Sequence, residues 1–200
     1  KIYAIETGIS SDPEMNWRIK ELVEKKVSIV SFSDSHSFWP WRLGRESTIF
    51  DLDELSYDNI IKSIRTGIGL KGTIETPPEY GKYHWDGHRL CNFSSSPSET
   101  KKLNGICPVC KKPLTIGVEY RIEQLAKEKE GFKPSNAKTF YKLTPLHEII
   151  ALLYETSVSS KKAWKIFDEI MAKFKDEFNL VLKASKEDMI KAKLDDKLIE

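Results

Sequence analysis

Four residues have the spacing of a metal site. Two residues separate His88 from Cys91, fifteen follow, and two again separate Cys107 from Cys110. A gap of two lets both side chains of a pair reach one ion from a tight turn, and two such pairs make a two-knuckle zinc site. Thiolates and imidazole suit zinc in tetrahedral geometry, and four protein ligands leave no open position for catalysis. The zinc expected here is therefore structural. His84 is the alternative to His88, with a less regular chelate because six residues separate it from Cys91. A redox pair at Cys107 and Cys110 is the competing reading, but no thioredoxin-like strand, helix and strand lie nearby. Three cysteines, an odd count, argue against a secreted disulfide framework and point to a reducing cytoplasm.

A second constellation is Asp34-Ser35-His36. It follows Val27-Ser-Ile-Val-Ser-Phe32, a short β-branched run that reads as a buried strand, and α/β enzymes present polar residues to substrate from such strand ends. An Asp and a His two residues apart can bind one metal there. The same four letters, Ser-Asp-Ser-His, can equally cap a loop or close a turn.

The elements that position these groups follow from pattern. Ile2 to Ile5 reads as a strand ending at Glu6-Thr7-Gly8. Ser11 or Asp12 caps a helix with Pro13 in its first turn, running to about Lys25, so strand, helix and strand form one βαβ unit. A second helix is expected from Asp53 to Thr66, with Leu55, Ile60, Ile61 and Ile64 as its apolar stripe and Gly67 closing it. Gly67-Ile-Gly69-Leu-Lys-Gly72 spells a dinucleotide fingerprint by letter. It follows a helix and leads into a strand, the wrong order, so it reads as a helix C-cap and turn.

Pro77-Pro78 marks a boundary, and the stretch from Glu79 to about Pro113 has too few large apolar residues for its own core, so it needs the metal as a staple. From Thr144, which can cap a helix with Pro145 in its first turn, the chain turns helical: Leu146, Ile149, Ile150 and Leu153 form one stripe. Trp164, Phe167, Ile170 and Phe174 form another, on a helix from about Lys161 to Lys175. A last helix begins at Ser185 with a Ser-x-x-Asp cap. His147-Glu148 lacks the second His of a zincin, because Ala151 stands in its place.

The balance of 32 Lys and Arg against 30 Asp and Glu neither demands nor excludes a polyanionic partner. Locally, Lys71 to Arg121 carries eight basic against five acidic residues, interleaved with Tyr80, Tyr83, Trp85 and Phe93, which suits either nucleic acid or a solvated loop face. A charged fraction rich in Lys and Glu, with a single Gln, leans towards a thermophile. No apolar run is long enough for a membrane span, so no membrane partner is expected. The sequence starts inside a strand without an initiator Met, as expected for part of a longer or split protein.

With both strands in view, Ala4-Ile5-Glu6, the helix and the strand ending in Asp34-Ser-His36 resemble the closing half of a PHP domain. That superfamily comprises metal-dependent phosphoesterases on a distorted β/α barrel. The resemblance narrows through Glu6-Thr-Gly-Ile-Ser-Ser-Asp-Pro, Pro40-Trp-Arg-Leu-Gly-Arg-Glu46, Tyr80-Gly-Lys-Tyr-His-Trp-Asp-Gly-His88-Arg, the cysteine knuckles and Leu146-His-Glu-Ile-Ile-Ala151. Together they are similar to endonuclease Q.

The resemblance implies an α/β fold: a partial PHP barrel over residues 1–76, a Cys3His zinc segment over 77–120 and a helical module over 121–200. It implies a DNA-repair endonuclease that cuts 5′ of deaminated bases such as hypoxanthine or uracil, using metal-activated hydroxide. Asp34 and His36 would hold part of a cluster of divalent ions (Zn, Mg or Mn) once the barrel is complete, and Glu6 would orient a ligand or touch substrate. The earlier PHP signatures are absent, so the missing half of the barrel is expected as a second chain or as the front of a longer one. Trp41, Tyr80 and Tyr83 would wall or stack on a displaced base, or serve as core. Arg42 and Arg45 would meet phosphate, or pair with Glu46 or a nearby Asp. The rival functions are a non-catalytic zinc-containing DNA-binding module and a small-molecule phosphoesterase. Lys111 stands where a knuckle often has Gly.

Overall fold

The computed structural model describes residues 1–199 as a mixed α/β chain with three small sheets. Strand β1 (Ala4–Glu6) runs parallel to β2 (Ser28–Val30), with Ile5 opposite Ile29. Between them lie α1 (Pro13–Trp17), capped by Asp12, and α2 (Lys20–Glu24), where the sequence predicts one continuous helix. The break at Arg18 and Ile19 has a tertiary cause. The Arg18 carbonyl accepts the N–H groups of Lys127 and Glu128, at 2.9 and 3.2 Å, and its guanidinium pairs with Glu123 at 2.8 Å. Ile19 is left in an extended conformation that starts the next helix.

After α3 (Pro40–Leu43) comes a three-stranded sheet in the order β3 (Ser47–Phe50), β4 (Leu70–Glu75), β7 (Thr139–Lys142). Helix α4 (Tyr57–Thr66) crosses between β3 and β4. It starts four residues later than expected because Ser56 provides the cap, which leaves Leu55 outside the helix and exposed. Gly67 and Gly69 occupy left-handed backbone, and a Cβ on Gly72 would stand 1.9 Å from the Thr139 carbonyl oxygen of β7. The glycine run is a cap, a turn and a close strand approach, as its order in the chain indicates.

The middle of the chain forms a hairpin, β5 (Asp86–His88) with β6 (Phe93–Ser95), followed by α5 (Pro97–Lys102) and α6 (Val118–Leu125). It packs on the first segment. His84 Nδ1 donates to the Ser10 carbonyl at 3.0 Å, and Glu123 of α6 pairs with Arg18 at 2.8 Å. Helix α6 packs against α1 and α5, and β7 rejoins β4 in parallel, Thr73 opposite Phe140. With only two aromatic residues in four, β7 gives almost no sequence signal.

The helical part therefore begins with α7 (Leu146–Leu153), followed by α8 (Lys161–Met171), a π-type turn at Asn179–Lys183, α9 (Lys186–Lys191) and α10 (Asp196–Ile199). Its core joins Leu146, Ile150, Ala163, Ile170, Leu180 and Leu194. Thr144 does not cap α7. Glu177 does, accepting the Leu146 N–H at 2.6 Å from far along the chain. Helix α8 ends at Met171, four residues short of the expected Lys175. Among the described residues no helix is long and apolar enough to cross a membrane.

Where β1, β2 and β4 end, the core is polar. Glu75 is fully buried and accepts from Thr7 at 2.9 Å, while Glu46 accepts from Thr76 at 2.7 Å and Ser31 at 3.1 Å. Burial, reinforced by the neighbouring Glu46 charge, pushes the Glu75 carboxyl up to about 7. A raised folded-state pKa means that the folded protein holds this proton more tightly than the unfolded chain. The associated stability is complete below the unfolded value of 4.5 and is lost as pH rises through about 7. The expected result is a fall of order 2 kcal/mol in unfolding free energy between pH 5 and 8 from this group. Urea melts of Glu75→Gln across that range should be flatter than wild type.

Candidate functional site

The zinc-type knuckles form as their spacing requires. His88 closes β5, Cys91 ends a 3-10 turn, and Cys107 and Cys110 flank a tight turn through Pro108. All four ligand atoms lie within 4.8 Å of one another, and Cys110 Sγ stands 3.3 Å from His88 Nδ1. Tetrahedral zinc with sulfur at about 2.3 Å separates its ligands by about 3.8 Å, so these residues fit such an ion with small adjustments. His84 is excluded from the set: it is buried against Trp85, with Nδ1 bonded to Ser10. Lys111 adopts the left-handed conformation (φ 61°) that glycine usually supplies, and its N–H bonds the Cys107 carbonyl at 2.9 Å. The turn forms without the glycine. Asp86, one turn away, accepts the Gly117 N–H at 2.6 Å and ties the hairpin to α6.

The second site lies on the loop after β2. Asp34 and His36 come together there, His36 Nε2 to Asp34 Oδ2 at 3.5 Å, with side chains 78% and 87% exposed. Asp34 holds φ 44°, a conformation costing a non-glycine residue about 1 kcal/mol and one more often retained at functional sites. Glu6 ends the adjacent strand and is exposed. All three side chains are exposed to solvent.

Arg45 ties that loop to the chain that follows it. Its Nε and Nη2 donate to the Ser33 carbonyl at 3.2 and 3.0 Å, and Ser35 Oγ donates to the Ser37 carbonyl at 2.5 Å. Arg45 therefore acts on the backbone that carries Asp34, and Glu46 is committed to Thr76 and Ser31. Arg45→Lys loses the two-pronged grip. If this loop carries the chemistry, the variant should lower turnover about tenfold, as loosening a ligand's support does, with its melting temperature nearly unchanged. Paired kinetics and thermal melts check this.

Arg42, Tyr80 and Tyr83 are exposed, and Lys82 Nζ lies 4.8 Å over the Tyr83 ring. Trp41 differs. It is 4% exposed, stacked on Trp39 at 4.9 Å and against His147 at 4.8 Å, so it packs as core and has no free face for a base. His147 is fully buried among Trp41, Trp164 and Phe167, and neither ring nitrogen has a hydrogen-bond partner. Burial holds its pKa down and keeps it neutral. His147→Phe should then raise stability by about 1 kcal/mol, measured from the urea midpoint, because an unpaired polar group leaves the core.

Sequence reasoning missed Phe38 and Trp39, two and three residues beyond His36, and the burial of Glu46 and Glu75. Loop aromatics and isolated carboxylates carry no periodic signal.

The crystal structure of the lesion-specific endonuclease Q from Pyrococcus furiosus superposes with a TM-score of 0.81 at 28% identity, over 96% of this chain and 48% of that one. An endonuclease Q complex with a 27-mer duplex bearing an abasic lesion at its active site matches at TM-score 0.83, with the same identity and coverage. The chain is similar in fold and sequence to part of endonuclease Q. It spans about half the length of those structures. The uncharacterized protein MJ0043 of Methanocaldococcus jannaschii is 30% identical over 195 residues, 94% of this chain and 24% of the relative. The model of the MJ0043 C-terminal domain matches residues 145–200, the helical part that starts at α7.

Proposed function

We propose that this chain is part of a DNA-repair endonuclease that hydrolyses the phosphodiester 5′ of a deaminated base such as hypoxanthine or uracil. The observation that carries the reading is the similarity to endonuclease Q over 96% of the chain, with Asp34 and His36 brought together on the exposed loop after β2. These two residues would hold part of a divalent-metal cluster in the completed PHP barrel. Ions held there would supply activated water and offset charge on the departing oxygen.

The chain's own residues have separate tasks. Arg45 fixes the loop, Arg42 offers an exposed cation to phosphate, and Tyr80 and Tyr83 offer exposed rings beside basic residues. Glu6 orients a ligand from the end of β1. Zinc at His88, Cys91, Cys107 and Cys110 holds the middle segment, which has few large buried apolar side chains. The remaining barrel wall comes from the rest of a longer polypeptide or from a second chain, and the site of action is the cytoplasm.

A zinc-containing DNA-binding module without catalysis is the second reading. It is favoured by one observation: the knuckle set is the one group of three or more potential metal ligands converging among the described residues. Binding to a deoxyinosine duplex, titrated against salt, is the first test of the shared part. Affinity should fall steeply with salt and exceed that for undamaged duplex. A salt-insensitive or absent interaction would contradict both readings.

A further inference from the structure

An aromatic ladder rises from the helical core to solvent beside the Asp34 and His36 loop. His147 and Trp164, with ring centroids 4.6 Å apart, form its base against Phe167. Trp41 lies on this base, Trp39 stacks on Trp41 at 4.9 Å with planes 11° apart, and Phe38 caps Trp39 at 5.2 Å. Exposure climbs along the ladder from 4% at Trp41 to 37% at Trp39 and 79% at Phe38.

Folding gains little from a phenylalanine so exposed, yet its backing is fixed. Pro40 opens α3 directly after Trp39, and the other end of the loop is held by Arg45 on the Ser33 carbonyl. Phe38 is two residues from His36, so their Cα atoms lie within about 7 Å. An enzyme that cuts beside a lesion needs its reading element within about one nucleotide of the cleaved phosphate. Base-extruding proteins fill the vacated stack with an apolar side chain. Arg42, exposed on the next turn, gives this end of the ladder the charge that a phosphate backbone favours.

We propose that Phe38 is the wedge that enters the DNA stack at the damaged nucleotide, with the Trp39 and Trp41 stack as its rigid backing. The proposal rests on the nuclease reading above and adds the residue that separates duplex from single-stranded substrate. Duplex DNA must be unstacked before cleavage, and a single strand need not be.

The test uses the full-length protein and two substrates carrying the same deoxyinosine, one duplex and one single-stranded, with 2-aminopurine next to the lesion. Phe38→Ala should lower duplex cleavage about tenfold or more, the scale of one lost base-stacking contact, and remove the 2-aminopurine fluorescence rise on binding. Single-strand cleavage and melting temperature should hold within about twofold and a degree or two respectively, since the side chain is exposed. Phe38→Trp should restore duplex cleavage. Equal losses on both substrates, or an unchanged duplex rate, would overturn the wedge while leaving the nuclease intact. A wild-type protein that neither binds nor cuts either substrate would instead overturn the nuclease reading, and the wedge with it.

Discussion

Asp34→Asn in the full-length protein is expected to reduce lesion cleavage on the order of a thousandfold while its melting temperature barely moves. The two halves of this expectation have separate causes. Ions at such a site supply several kcal/mol of charge stabilisation, which converts to about a thousandfold in rate when a ligand is lost. The carboxylate is 78% exposed and its near neighbour is His36, so folding depends little on it. His36→Ala should behave alike, and the double variant should cost little more than either single one, because the two residues serve one unit. Single-turnover nicking beside thermal melts measures this. A Tm loss of many degrees with modest loss of rate would make the pair structural.

Cys107→Ser should have the largest effect on folding. Its side chain is the fully buried one of the four ligands, and a structural metal contributes binding energy to folding directly. Metal content should fall from one ion per chain, and stability should drop by more than about 4 kcal/mol, the range reached when a structural metal is lost. The damage should spread, because the segment is tied to the start of the chain through His84 on Ser10, and α6 through Glu123 on Arg18. His84→Asn provides the contrast: it should weaken that docking yet leave the metal content intact. Plasma mass spectrometry with chelator-dependent melting distinguishes the two. An unchanged metal content in Cys107→Ser, or its loss in His84→Asn, would refute the ligand assignment.

Local chemistry explains what was legible in the sequence. The Cys107 and Cys110 pair, the Ser185 capping box and the Gly67 C-cap are set by residues within a few positions of one another and form as read, while β1 and β2 form as three-residue strands within or just beyond the expected runs. Several of the differences have distant causes, while the later start of α4 is set locally by its Ser56 cap. Arg18 ends α1 because residues 127 and 128 take its carbonyl, Glu177 caps α7 from 31 positions away, and β7 exists because β4 offers it a parallel edge. Around Asp34 and His36, which the spacing and the resemblance together drew out, the neighbouring side chains had two readings each. Trp41 takes the core alternative, Arg45 grips the loop backbone, and Phe38 and Trp39 are the more exposed rings. Which of several neighbouring aromatics turns outward depends on what packs behind them, here α7 and α8.

The most direct test of the central claim is to map the product of the full-length protein on a duplex with a single deoxyinosine, supplied with divalent metal. The account predicts one cut, on the damaged strand, at the phosphodiester 5′ of the lesion, lost on chelation and absent from the undamaged duplex. Binding without any cut, or cutting that ignores the position of the lesion, would contradict it.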